Sequence, residues 1–299
     1  MAPARLPLAA ASAAAVSAAL AVAVAAAPAS PAAVPAARPP GHVTLTAAFL
    51  FRARAALVRD LGRQHGTAWF VPGRRRPGAA GSTSAESTYN WAGYADTATT
   101  DGTFTKVSGS WTVPVLTCTS EDRITSDWVG LDGFASSTVE QDGTVGQCFE
   151  GKAVYYSWYE MYPAGTVEVG KTVAAGDKIS ASVSRSGANY TLALTDSTHT
   201  TSSFSKKASC AVTTCLDTSA EWIAERPSYS IGIAPEAQFA SVPFSQASQT
   251  ASGKTSTISG YSGTSYDITS VDATDSYDIA VPSGLTGGNA FTASWKNSY

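Results

Sequence analysis

The sequence reads as an all-β domain, a sandwich or barrel, over roughly residues 81–299, and three observations carry that reading. From about Tyr89 onward the chain is rich in Ser, Thr, Gly, Val, Tyr and Trp, with few Leu and few long helical runs. Charged residues make up 14% of the chain, well under the roughly 25% of an average soluble domain. Apolar and polar residues alternate at period 2 in several places. About 210 residues of such segments, with no internal repeat, suit a single sandwich or barrel.

The first 29 residues are expected to be a secretory signal peptide. Arg5 gives a positive start, Leu6 to Ala27 is almost wholly Ala, Val, Leu and Ser, and Ala27-Pro28-Ala29 offers a cleavage site. No second apolar span follows, so stable membrane association is not expected. Residues 30–80 form a basic segment. Through residue 76 there are nine Arg, no Lys, one Asp and no Glu, a net of +8. Taken from totals of 20 basic and 23 acidic residues, this leaves 11 basic and 22 acidic residues, a net of −11, for residues 77–299. Such a segment can dock on an acidic domain near neutral pH and be released when acid neutralises the carboxylates. Phe49, Leu50, Leu57, Val58 and Leu61, interleaved with Arg52, Arg54, Arg59 and Arg63, predict a helix with apolar and basic surface. We read residues 30–80 as an inhibitory propeptide ending near Arg74-Arg75-Arg76; a membrane-surface helix or a plain linker are the bland rivals.

Within the domain, Phe104 to Pro114 reads as a strand pair or one bulged strand. Ile179, Ala181 and Val183 face one way, a Ser186-Gly187 turn follows, and Tyr190, Leu192 and Leu194 return, which is a hairpin signal. The four Cys all lie in this domain and fit an oxidising compartment. Of three connectivities, Cys118 with Cys148 and Cys210 with Cys215 is the expected one: the second pair brackets a tight loop, and neither has redox spacing.

The catalytic inventory is poor. Of three His, His42 and His65 lie in the leader, and His199 sits in the polar run Asp196 to Thr201, which reads as a solvated loop tip. No Gly-x-Ser-x-Gly elbow supports a serine triad, and no His/Cys cluster has zinc-ligand spacing, so neither metal nor cofactor is expected. What remains is Glu221-Trp222-Ile223-Ala224-Glu225 and the isolated Gln141. In a strand, Glu221, Ile223 and Glu225 share a face. Carboxyl groups among bulky apolar residues can be desolvated into usable acid/base range, and a Gln amide offers a donor that no pH change titrates away.

Four stretches now stand in order: Tyr89-Asn90-Trp91-Ala92-Gly93-Tyr94; Trp128-Val129-Gly130-Leu131-Asp132-Gly133, with Val139-Glu140-Gln141-Asp142-Gly143-Thr144 after it; Trp158-Tyr159-Glu160-Met161-Tyr162-Pro163; and Ala220 to Glu225. Together they resemble the glutamic peptidases, the eqolisin or G1 family, over roughly residues 86–299. The resemblance implies a secreted acid endopeptidase on a β-sandwich of two antiparallel sheets, lectin- or glucanase-like, acting on polypeptides. Its catalytic Gln maps onto Gln141 and its Glu onto Glu225, while Trp128, Asp132, Trp158 and Glu160 fall on positions that line the cleft or support the dyad. Glu225 would act as base and then acid, and Gln141 would stabilise the oxyanion.

Each assignment has an alternative. Gln141 reads equally as a turn residue; Glu221 and Glu225 have helical i, i+4 spacing, and Glu221 is the other candidate acid; Trp128 and Trp158 read as sandwich-core aromatics; Glu160 reads as a solvent-facing side chain. Fungal members tend to place an acidic residue after the catalytic Glu, where this chain has Arg226-Pro227. Adjacent strand residues point apart, so the effect on Glu225 is expected to be small. The short segment between Trp111 and Trp128 argues against a two-chain mature form. A glycan-cleaving or glycan-binding sandwich is the competing function. Nothing signals nucleic-acid binding in an acidic domain, and a monomer is the default.

Overall fold

The computed structural model describes Arg52, residues 83–229 and residues 232–298. The expected signal peptide, the rest of the basic segment and its amphipathic helix lie outside the described residues, Arg52 apart.

In chain order the strands are β1 (Ser84–Thr88), β2 (Trp91–Thr97), β3 (Phe104–Thr112), β4 (Arg123–Leu131), β5 (Val139–Phe149) and β6 (Lys152–Tyr162). Then come β7 (Val167–Thr172), β8 (Lys178–Ser186), β9 (Asn189–Asp196), β10 (Phe204–Ser209), β11 (Ser219–Glu225) and β12 (Ser228–Tyr229). The last six are β13 (Gly232–Ile233), β14 (Ser241–Ala251), β15 (Lys254–Thr257), β16 (Thr264–Val271), β17 (Asp278–Pro282) and β18 (Phe291–Trp295). From residue 83 on, the described residues hold no α-helix, only two single 3-10 turns.

Hydrogen bonding runs in the order β10-β9-β8-β3-β14-β18-β17-β16-β2-β11-β4-β5-β6-β7. The path doubles back where β17 meets β16, so that β3, β8 and β9 of one layer lie across from β4, β5 and β11 of the other. This is the expected β-sandwich, with two refinements. The layers are hydrogen-bonded into one sheet, and β1 runs parallel to β16, in an otherwise antiparallel fold.

The predicted hairpin is β8–β9, with Ser186 opposite Asn189 and Gly187 at φ +62° in the turn. Phe104 to Thr112 is one bulged strand, since its pairing with β14 shifts register twice. Between the layers, Val107, Trp111, Ile179, Val183, Leu192, Leu194 and Phe244 pack against Ala220, Trp222 and Ala224 of β11. The Trp222 indole N–H donates to the Ser108 carbonyl at 2.8 Å, so the only polar atom of this buried ring is satisfied. Cys118–Cys148 and Cys210–Cys215 form the two disulfides that their placement predicted.

Candidate active site

Strand β11 lies between β2 and β4, and all seven of its residues are buried. Ala220, Trp222 and Ala224 point into the core, which sends Glu221, Ile223 and Glu225 to the opposite face. Register extends that face across three strands. Glu221, Gly130, Gln141 and Glu160 stand in one row; Ile223, Trp128, Gly143 and Trp158 in the next; Glu225, Ser126, Val145 and Tyr156 in the third. Directly paired residues point to the same side of a sheet. The six residues Gln141, Glu160, Glu221, Glu225, Trp128 and Trp158 therefore share one face, together with an apolar cluster of Trp91, Tyr156, Ile223 and Ile268.

Two glycines make room for this face. A Cβ on Gly130 would lie 2.8 Å from Cζ3 of Trp128 and 3.2 Å from Cβ of Gln141. One on Gly143 would meet the Asp127 carbonyl at 2.3 Å and Cβ of Trp128 at 2.6 Å. With no side chain at 130, the Trp128 ring and Gln141 border the same space, and the Trp128 Nε1–H donates to Oε2 of Glu225 at 2.7 Å. The same ring takes the edge of Trp91, centroids 5.0 Å apart and planes at 77°. Gln141 Nε2 donates to Oε2 of Glu160 at 3.0 Å.

On a flat sheet, two strands and four residues of offset would put Glu225 and Gln141 about 16 Å apart at Cα, against about 10 Å for Glu221 and Gln141. Distance along the register thus favours Glu221, and the raised carboxyl of Glu221 counts against it. Glu221 is wholly buried, and that burial, with Asp132, Glu140 and Asp96 nearby, pushes its carboxyl well above the ordinary range. A carboxyl held protonated is a poor base in acid. Glu225 instead faces the Trp128 N–H, a group that can only donate.

Asp132 follows the last residue of β4. It stands at φ +68° and accepts from the Asp217 N–H (2.7 Å), the Thr218 N–H (2.9 Å) and hydroxyl (3.1 Å), and the Thr138 hydroxyl (3.2 Å). It therefore clamps the chain entering β11, which carries Glu225, to the connection that leads into β5, which carries Gln141. Asp132→Ala would leave two buried backbone donors unpaired, at about 1–3 kcal/mol each. We expect a melting temperature lower by roughly 10 °C, measured by circular dichroism; an unchanged melt would show that the clamp carries no stability.

Arg226 turns away from Glu225. Its guanidinium donates to the carbonyls of Tyr89 and Ala234, both at 3.1 Å. No sequence pattern points to Glu236, which sits in an unpatterned loop and pairs beside Ile124 of β4. It is 1% exposed. Burial pushes its carboxyl up to about 8; Arg226 and a hydrogen bond from Thr125 oppose the rise, and the charge of Glu225 adds to it. His199 is half-exposed, as a loop residue should be, yet its Nδ1 lies 2.8 Å from Oδ1 of Asp177.

A sandwich that presents carboxyl groups, a carboxamide and indole walls on one face has the makings of an acid–base hydrolase. A family model described as Peptidase A4 family matches residues 89–290, and the chain belongs to that family. It is 30% identical over 225 residues to aspergillopepsin-2 of Aspergillus niger, covering 66% of this chain and 78% of that protein. Among solved structures, scytalido-glutamic peptidase with a transition-state analog inhibitor superposes with a TM-score of 0.58 at 25% identity, covering 70% of this chain and 98% of the other. SCP-B, an eqolisin in complex with the tripeptide Ala-Ile-His, shares the fold with a TM-score of 0.55 at 23% identity, over 70% of this chain and 98% of that one. The chain is thus a glutamic endopeptidase acting on polypeptides, and the glycan-directed alternatives fall.

Proposed function

We propose that this peptidase hydrolyses peptide bonds with Gln141 and Glu225, and that it is secreted as a zymogen. The observation that carries the dyad is the sheet face that Gln141 and Glu225 share, with the Trp128 ring and Gln141 both bordering the space left at Gly130 and the indole N–H donating to Glu225. Glu225 as carboxylate takes a proton from water, and the oxygen adds to the scissile carbonyl carbon. Gln141 Nε2 donates to Glu160, which orients the amide, and in the reaction an N–H of that amide donates to the developing oxyanion. The protonated Glu225 then gives its proton to the departing amine as the C–N bond breaks. One carboxyl serves twice, and Trp128 and Trp158 wall the site against water.

The zymogen reading rests on charge. Arg52, from the basic segment, donates to Glu150 at the β5–β6 turn at 3.0 Å. That pair is exposed and worth little alone, but the segment holds eight Arg against a domain of net −11. Secretion follows from the leader and the two disulfides, and a single chain suffices for the site.

The test is cleavage of a denatured protein by the secreted chain from pH 2 to 8, with and without acid pre-incubation. Cleavage confined to acid, enhanced by pre-incubation and indifferent to chelators and serine-directed reagents is expected. No cleavage at any pH by a folded domain freed of residues 1–80 would overturn the proposal.

A further inference from the structure

At one end of the layer that lacks the dyad, three side chains from separate segments converge. Asp177 precedes β8, Asp196 ends β9, and His199 follows in the loop. The potential ligand atoms of the three lie within 4.8 Å of one another. Asp196 is 0% exposed. Its Oδ1 accepts from the N–H groups of Thr198 and His199, both at 2.8 Å. Its Oδ2 is buried with no N–H or hydroxyl donor, and the Asp177 carboxyl stands against the Asp196 carboxyl. Asp177 is also buried; its Oδ2 accepts from the Ala174 N–H at 2.7 Å, and its Oδ1 faces Nδ1 of His199 at 2.8 Å. Among the described residues no Lys or Arg pairs with either carboxylate.

Two carboxylates this close need something positive between them, and a buried oxygen without a donor is costly to keep. Ligand atoms around a small divalent ion at about 2.1 Å lie within about 4.2 Å of each other, a limit that Nδ1 of His199 and Oδ1 of Asp177, 2.8 Å apart, meet. Two oxygens and an imidazole nitrogen favour first-row transition ions over calcium or magnesium, which prefer all-oxygen shells. His199, about half exposed, leaves a path for the ion and room for water to complete its coordination. We propose that Asp177, Asp196 and His199 form a binding site for one divalent transition-metal ion, structural in role and separate from peptide cleavage. No regular spacing in the sequence announces it, because 177, 196 and 199 meet only when β8 and β9 pair.

The test is titration of the full-length protein with zinc chloride at pH 7 by calorimetry, with thermal melts in parallel. One saturable site and a raised melting temperature are expected. His199→Ala, at an exposed position that folding does not need, should weaken that binding at least tenfold and abolish the thermal shift. Asp196→Asn should do the same if it folds. Absence of saturable binding, or binding unchanged in His199→Ala, would overturn the site and leave the two carboxyls sharing a proton.

Discussion

Glu225→Gln is expected to lower peptide cleavage at least about 1000-fold, and Gln141→Ala about 100- to 1000-fold, with far-ultraviolet dichroism and the melting curve little changed. On the proposed mechanism the first would remove the group that both takes and returns the proton, and general acid–base transfer alone is worth about 100- to 10,000-fold. The second would remove one oxyanion donor, which costs about 100- to 1000-fold in comparable sites. Glu221→Gln discriminates between the two acids of β11. Because burial already holds Glu221 neutral, the amide mimics its working state, and activity should survive within a few-fold. Loss of cleavage in Glu221→Gln with activity kept in Glu225→Gln would move the base to Glu221, the residue in Gln141's own row. Loss of fold in both Glu225 and Gln141 variants would make the pair structural.

The second large effect is on stability, which is expected to fall as pH rises from 4 to 8. Burial raises Asp217 to about 6, Asp96 to about 7 and Glu236 to about 8, and holds Asp127, Glu140, Asp142 and Glu221 well above the carboxylate range. In the unfolded chain such groups ionise near 4. Between the two values the folded state keeps protons that the unfolded state has lost. Each group's contribution is therefore complete below about pH 4 and is lost as pH climbs through its folded value, by at most about 1.4 kcal/mol per pH unit per group. A domain has only about 5–15 kcal/mol to lose, so a few of these groups suffice. Melts from pH 3 to 8 should show the midpoint dropping by tens of degrees, and Glu236→Gln should lessen the drop above pH 6. A flat or rising midpoint would mean that these carboxyls ionise in place.

The sequence showed the fold where one side of a strand is polar. Ile179, Ala181 and Val183 alternate with exposed or half-exposed partners, so period and turn were both visible. Strand β5 offered no such pattern, because ten of its eleven residues are buried and both faces are covered. In β3, Phe104 and Val107 are both buried although three apart, since a bulge turns the strand between them; the ambiguity between a strand pair and one bulged strand came from that slip. The site residues were legible only as ordered motifs. Gln141 and Glu225 are 84 positions apart, and nothing local ties them. Asp132 was placed with the cleft by its motif, whereas its oxygens hold Thr138, Asp217 and Thr218. Glu236 and the Asp177–Asp196–His199 convergence had no signal at all, because each depends on strand pairing rather than spacing.

A peptidase that digests loosened chains at its own working pH is also exposed to itself. The residues between Cys210 and Cys215 are the exposed run Ala211-Val212-Thr213-Thr214, just upstream of the strand that carries Glu225. A self-inflicted cut there would leave the flanking segments covalently joined through the Cys210–Cys215 bond, and the buried, doubly paired β11 would keep its register. Autolysis at this point would produce a nicked but still active molecule, visible as two fragments only after reduction.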